Sequence, residues 1–213
     1  DADRRQRALS SGVDRSRLLV HRDRHGVGAT RRQSDRVVVH VGHGDVLDSD
    51  GRALRLHAAL RGKLSVLGFM YTYCRDPVGC PLAYRIMLAT RDALLRDAAL
   101  AARSQLISLS FDPTNDTPEQ MARYGHGQVD QQRLRWRFLT TASVPKLLPL
   151  LDGLGQDVSI ETDARGRPTR TLNHLLKVFL IDEKLWVREI YSVATLDTAA
   201  LVNDLKTLAV EAR

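Results

Sequence analysis

Both cysteines of this 213-residue chain fall in one short stretch, Phe69-Met70-Tyr71-Thr72-Tyr73-Cys74-Arg75-Asp76-Pro77-Val78-Gly79-Cys80-Pro81. An apolar run precedes them and a helical pattern follows, so the fold has to hold two thiols in one loop between a buried strand and a helix. Thiols so placed do one of two things well: they exchange a disulfide, or they hold a soft metal such as Cu(I) with help from an imidazole. A purely structural disulfide is the duller alternative. A ring this small contributes only about 2 kcal/mol in the chain-entropy model, and a chain of this length buries a core that does not need it.

The surrounding pattern sets the fold class. Val37 to Val41 and Asp45 to Leu47 read as short strands, Asp48-Ser49-Asp50-Gly51 as a hairpin turn, and Arg55-Leu56 as the returning pair. Lys63 to Met70 is almost continuously apolar, as a central strand buried on both faces must be. Pro81 suits the first turn of a helix, and Leu82, Ile86, Leu88, Leu94 and Leu95 recur at helical spacing to about Arg103. Cys80 therefore lies at a helix N-terminus, where the dipole favours a thiolate.

Leu106 to Phe111 is the next buried strand, and Thr117-Pro118-Glu119-Gln120 is a capping box that opens a second helix. Leu134 to Leu139 is a third strand; Ser143 caps a helix from Val144 to about Leu154, and Gly155 ends it. Val158 to Glu161 reads as an edge strand. The polar stretch Thr162 to Thr171 reads as a loop that delivers Asn173-His174 to the head of a strand from Leu175 to Ile181. A hairpin through Asp182-Glu183-Lys184 returns along Leu185 to Tyr191, and Thr195 to Val210 closes the chain as an amphipathic helix. This alternation predicts an α/β fold of thioredoxin-like architecture, a central mixed sheet with helices on both faces and a C-terminal hairpin plus helix.

The formal charge of +7 resembles a nucleic-acid signature until it is divided along the chain. Residues 1–36 hold ten Arg, five Asp and no aromatic residue, and the remainder is nearly neutral. Phosphate-tracking surfaces interleave basic side chains with aromatic ones on a folded face, so no nucleic-acid partner is expected. Residues 1–36 read as a basic, flexible tail, and residues 37–213 as a single domain. No apolar run approaches the ~20 residues of a membrane-spanning helix, and no leader opens the chain. A membrane tether is expected only in a segment absent from this sequence.

Of the seven histidines, His21, His25, His40 and His43 fall in or beside the tail, and His57 and His126 in polar turns, where solvation accounts for them. His174 differs, because it stands where a loop meets a buried strand. A thioredoxin-like fold brings that position towards the cysteine loop.

Five stretches, in order, resemble the Sco/SenC family of copper-binding, thioredoxin-like proteins. They are Tyr71-Thr72-Tyr73-Cys74; Cys80-Pro81; Ser108 through Asp112-Pro113 to Thr117-Pro118-Glu119; Trp136-Arg137-Phe138-Leu139-Thr140; and His174 ahead of Val178-Phe179-Leu180-Ile181-Asp182. The resemblance runs from about residue 37 to the C-terminus. It implies copper as the bound metal, with Cys74, Cys80 and His174 as its ligands and Asp112 as a charge just outside them; a turn-forming Asp before Pro is the competing reading of Asp112. It also implies a metallochaperone serving a cuproenzyme client such as the dinuclear copper centre of cytochrome c oxidase. The implied setting is the bacterial periplasm, where a dithiol reductant is needed because only thiolates ligate.

The chain departs from the family pattern at two points. Five residues separate its cysteines where the family has three, with Pro77 and Gly79 available to turn the longer loop. Asn173-His174-Leu175 also lacks the polar neighbour that often follows the family's histidine. The competing reading is a thiol-disulfide oxidoreductase or thiol peroxidase that uses Cys74 and Cys80, with Arg75 as an activating charge. The wide interval and the lack of a Pro immediately before Leu175 weigh against it.

Overall fold

The computed structural model describes Val41 and residues 44–128 and 133–211. The tail of residues 1–36, residues 37–40 of the expected strand from Val37 to Val41, and His21, His25, His40 and His43 lie outside the described residues. Val41 itself is buried and donates its N–H to the Leu185 carbonyl at 3.2 Å.

The first described element is a hairpin, β1 (Asp45–Leu47) against β2 (Ala53–Arg55). Its turn is the expected one: Gly51 adopts a φ of 79°, and the Asp48 carboxylate accepts the N–H groups of Asp50 and Arg52. Pairing stops at Arg55, which faces Asp45. Leu56 does not continue the strand, because it and Leu60 are fully buried and open and close a short helix, α1 (Leu56–Leu60). His57 therefore rides on that helix and not in a turn.

The remaining elements are β3 (Leu64–Met70), α2 (Cys80–Leu95), α3 (Ala98–Arg103), β4 (Ser104–Ser110), α4 (Pro118–Tyr124), β5 (Arg135–Leu139), α5 (Val144–Gly153), β6 (Val158–Thr162), β7 (Pro168–His174), β8 (Val178–Ile181), β9 (Val187–Tyr191) and α6 (Thr198–Glu211). A five-stranded sheet runs in the order β5-β4-β3-β8-β9, with β3, β4 and β5 parallel and β8 and β9 antiparallel to their neighbours. Every residue of β3, β4 and β8 is buried. Successive side chains point to opposite faces, so burial at every position means that both faces of the sheet are covered. α2 packs on α6 and on β3 and β4.

Register explains where the loops converge. Met70 pairs with Ser110, so the loops leaving β3 and β4 start side by side, and the Phe111 N–H still reaches the Met70 carbonyl at 3.0 Å. β8 enters antiparallel, with Val178 opposite Gly68, so the junction between β7 and β8 arrives at the same end of the sheet.

Three expected elements take a different form, and one neighbouring cap forms as expected. The helix after the cysteine loop breaks at Arg96-Asp97, because Asp97 caps a new helix by accepting the Leu100 N–H at 3.0 Å. Thr117 does accept the Gln120 N–H at 3.3 Å, as the capping box requires. Ser143 stands at the start of α5 without making a side-chain cap bond. Residues 168–174 are not loop but strand β7, paired with β6 in a separate two-stranded sheet. Asp163 closes this hairpin by accepting the Arg165 and Arg167 N–H groups, with Gly166 at a φ of 73°. His174 is therefore the last residue of β7, and β8 begins only at Val178.

Candidate functional site

Cys80 is the first residue of α2 and is buried; Cys74 is partly exposed in the loop ahead of it, and both are free thiols. The five-residue interval does not keep the sulfurs apart, since the Cys80 thiol donates a hydrogen bond to the Cys74 sulfur. The same sulfur receives the backbone N–H of Cys80, the Tyr71 hydroxyl and the backbone N–H of Asp76. Four donors around one atom favour its anion, and they outweigh the cost of partial burial. The Cys74 thiol is pulled down to about 5 from an ordinary 9.0, with the Cys80 thiol as the largest cause. The Cys80 thiol is pushed strongly up, first because it is the donor to Cys74 and then because it is buried. Of the pair, Cys74 is the more acidic thiol and Cys80 the less acidic.

Tyr71 ties this pair to the histidine strand. Its ring is buried and edge-on to the His174 ring, with centroids 6.0 Å apart, while its hydroxyl reaches Cys74 and also receives the Leu172 N–H. Leu172 serves both groups, because its carbonyl accepts the His174 Nδ1–H at 3.0 Å. That bond fixes the tautomer: the proton sits on Nδ1 and the lone pair on Nε2. Nε2 is buried without a hydrogen-bond partner, and the ring leans on Phe111 with centroids 4.5 Å apart.

The loop after β4 forms the other wall. Asp112 is buried and accepts from the Tyr73 hydroxyl and from Asn115 Nδ2, the latter at 2.7 Å. It thus holds the side chain of the residue preceding Cys74, and it also turns its own loop, whose Asn115 and Asp116 N–H groups return to the Asp112 carbonyl.

A sequence profile of the SCO1/SenC family matches residues 40–210. The chain belongs to the SCO1/SenC family. No curated protein sequence matches it. Among solved structures it is similar to Arabidopsis thaliana ScoI with copper bound (TM-score 0.65, 17% identity, 80% of this chain and 99% of that one). It is also similar to a SCO1/SenC family lipoprotein from Bacillus anthracis (0.61, 23%, 81% and 96%). A third neighbour is BsSco, described as having a disulfide switch and as a member of the Sco family of cytochrome c oxidase assembly proteins (0.60, 20%, 84% and 99%). These likenesses establish the thioredoxin-like fold read from the sequence.

In this SCO1/SenC chain Cys74 and Cys80 influence each other directly, His174 stands edge-on to Tyr71, and Asp112 accepts from Tyr73, whose ring packs on Tyr71. Among the described residues no three His, Cys, Asp or Glu side chains form a closed metal cluster, and no helix is long and apolar enough to cross a membrane. His126 lies in a turn beyond α4 and lines a separate pocket of about 250 Å³. Sequence reasoning missed two residues. The Tyr71 hydroxyl was hidden at the end of an apolar run, where a phenol next to a cysteine loop is the available signal. Asp116, fully buried, was hidden in the Asp112–Thr117 turn.

Proposed function

We propose that this chain is a copper metallochaperone, holding copper with Cys74, Cys80 and His174 and passing it to a cuproenzyme such as the dinuclear copper centre of cytochrome c oxidase. The observation that carries the reading is the His174 Nε2 lone pair, buried and unpartnered beside Tyr71, whose hydroxyl contacts the thiolate of a paired dithiol. A buried polar atom left without a partner costs free energy in the folded chain, a cost that a bound ligand would offset, and two soft sulfurs with one imidazole are a donor set that suits copper. Bound copper would supply the transferable charge. The chain's own residues hold one sulfur as a thiolate, fix the imidazole through the Leu172 carbonyl and shield Nε2 from water. Asp112 acts from outside the ligand set by orienting Tyr73. Family membership, the copper-bound ScoI neighbour and the oxidase-assembly description of BsSco support this reading.

The work is assigned to residues 37–213, with residues 1–36 dispensable for binding. The periplasm is the proposed compartment, a dithiol reductant the partner that keeps both sulfurs reduced, and a membrane tether is supported by the lipoprotein neighbour. Reduced protein is expected to bind one copper, and Cys74→Ala, Cys80→Ala and His174→Ala each to weaken binding severely. Copper at ~100 times the dissociation constant adds about 2.7 kcal/mol of stability. Unchanged stoichiometry in the Cys80 variant would sink the assignment.

A second reading, a thiol-disulfide oxidoreductase, is favoured by one observation: a depressed thiolate at Cys74 next to a resolving thiol at Cys80. Steady disulfide turnover that survives complete removal of copper and vanishes in Cys74→Ser would establish it.

A further inference from the structure

The cysteines are two residues further apart than in the Sco/SenC pattern, and yet they meet. We propose that the Asp76 side chain is the positioning group that makes them meet, by folding the added length outward as a closed turn. Its Oδ1 accepts the Val78 N–H at 3.1 Å, and its carbonyl accepts the Gly79 N–H at 3.0 Å. Asp at the first position and Pro77 at the second suit such a turn, since the aspartate carboxylate binds the backbone two residues on and proline pre-sets φ.

The turn joins the two thiols along the chain: it opens two residues after Cys74 and ends at Gly79, the residue that stands at the N-terminus of α2 immediately before Cys80. Closing the turn therefore shortens the path between the two cysteines, and the backbone N–H groups of Asp76 and Cys80 are among the influences that lower the Cys74 thiol. Gly79 is the companion requirement: a Cβ there would stand 3.2 Å from both Asp76 Cβ and Oδ2, so a side chain would push against the one that closes the turn. Residues 75–78 are exposed, so a substitution at Asp76 leaves the core untouched.

This inference deepens the reading of the same site, but its test uses no metal, so failure of copper binding and failure of the turn are read separately. Reduced protein is equilibrated with oxidised glutathione. The Cys74 thiolate attacks one glutathione sulfur and releases one glutathione thiolate. The Cys80 sulfur then attacks the mixed disulfide, forming the Cys74–Cys80 bond and releasing the second, so two protein thiols are oxidised and one glutathione disulfide is reduced to two thiols. The equilibrium constant measures how well the sulfurs are held together. Asp76→Ala is expected to lower it about fivefold, the effect of one hydrogen bond, with the melting temperature of the reduced protein unchanged. Asp76→Asn retains Oδ1 and is expected to restore the parent value, and Gly79→Ala to lower it as Asp76→Ala does. An equilibrium constant for Asp76→Ala equal to the parent's, or one for Asp76→Asn as low as the Ala variant's, overturns the proposal.

Discussion

The Asp116 carboxylate, fully buried, holds Thr72 twice: it accepts the Thr72 hydroxyl at 2.6 Å and the Thr72 N–H at 3.2 Å. It also accepts the Ser110 hydroxyl at 2.6 Å. Thr72 lies two residues ahead of Cys74, so the loop leaving β4 carries the loop leaving β3. Asp112 repeats the arrangement one residue along, through the Tyr73 hydroxyl.

Removing this carboxylate leaves buried donors without an acceptor. Asp116→Ala is expected to cost about 3 kcal/mol, which in a chain of this size lowers the melting temperature by about 6 to 12 °C. Burial raises the Asp116 carboxyl above its ordinary 3.8, and the bonds from Ser110 and Thr72 only partly oppose it. The folded chain therefore holds this proton more tightly than the unfolded chain does. Its contribution is complete below the unfolded value and is lost as pH rises through the folded one. Relative to the parent, Asp116→Asn is expected to gain stability as pH rises across the acid range. A difference between the two that stays flat in urea titrations as pH rises through and above the ordinary carboxylate value would contradict this.

Alkylation should separate the two thiols. Cys74 is expected to react with iodoacetamide at a rate that rises with pH to a midpoint near about 5 and then levels off, while Cys80 resists until strongly alkaline conditions. In Cys80→Ala the largest cause of the depressed value is gone, and the Cys74 midpoint should climb. Mass spectrometry of the labelled peptide reads both results, and equal labelling of the two cysteines at neutral pH would contradict the opposite shifts of the two thiols.

The fold was legible wherever a strand was buried on both faces, because Leu64–Met70 and Val178–Ile181 leave no alternative to burial. It was not legible in residues 168–174, where Thr169, Arg170, Thr171 and Asn173 are as polar as loop residues; β7 exists because β6 lies beside it, and a pairing partner is not a property of the segment. Likewise the break at Asp97 depends on whether an aspartate caps or is solvated. At the site, the chemistry-bearing residues Cys74, Cys80 and His174 stood out by type and position. Tyr71 and Asp116 did not, since both act through hydrogen bonds to partners 101 and 44 residues away, at Leu172 and Thr72.

Tyr71→Phe isolates what the phenol contributes. The ring that packs on Tyr73, Phe111 and His174 stays, and only the hydroxyl is lost. That hydroxyl gives one hydrogen bond to the Cys74 sulfur, and a bond to a charged group contributes about 1.5 kcal/mol or more. At 1.36 kcal/mol per unit, the Cys74 midpoint should rise by roughly one unit, with the ultraviolet absorbance of the thiolate as the readout. His174 loses a neighbour's hydroxyl but keeps its bond to the Leu172 carbonyl, so its orientation should persist and copper stoichiometry remain one. A Cys74 midpoint that does not move in Tyr71→Phe would mean that the helix N-terminus and Cys80 hold the thiolate without help from the phenol.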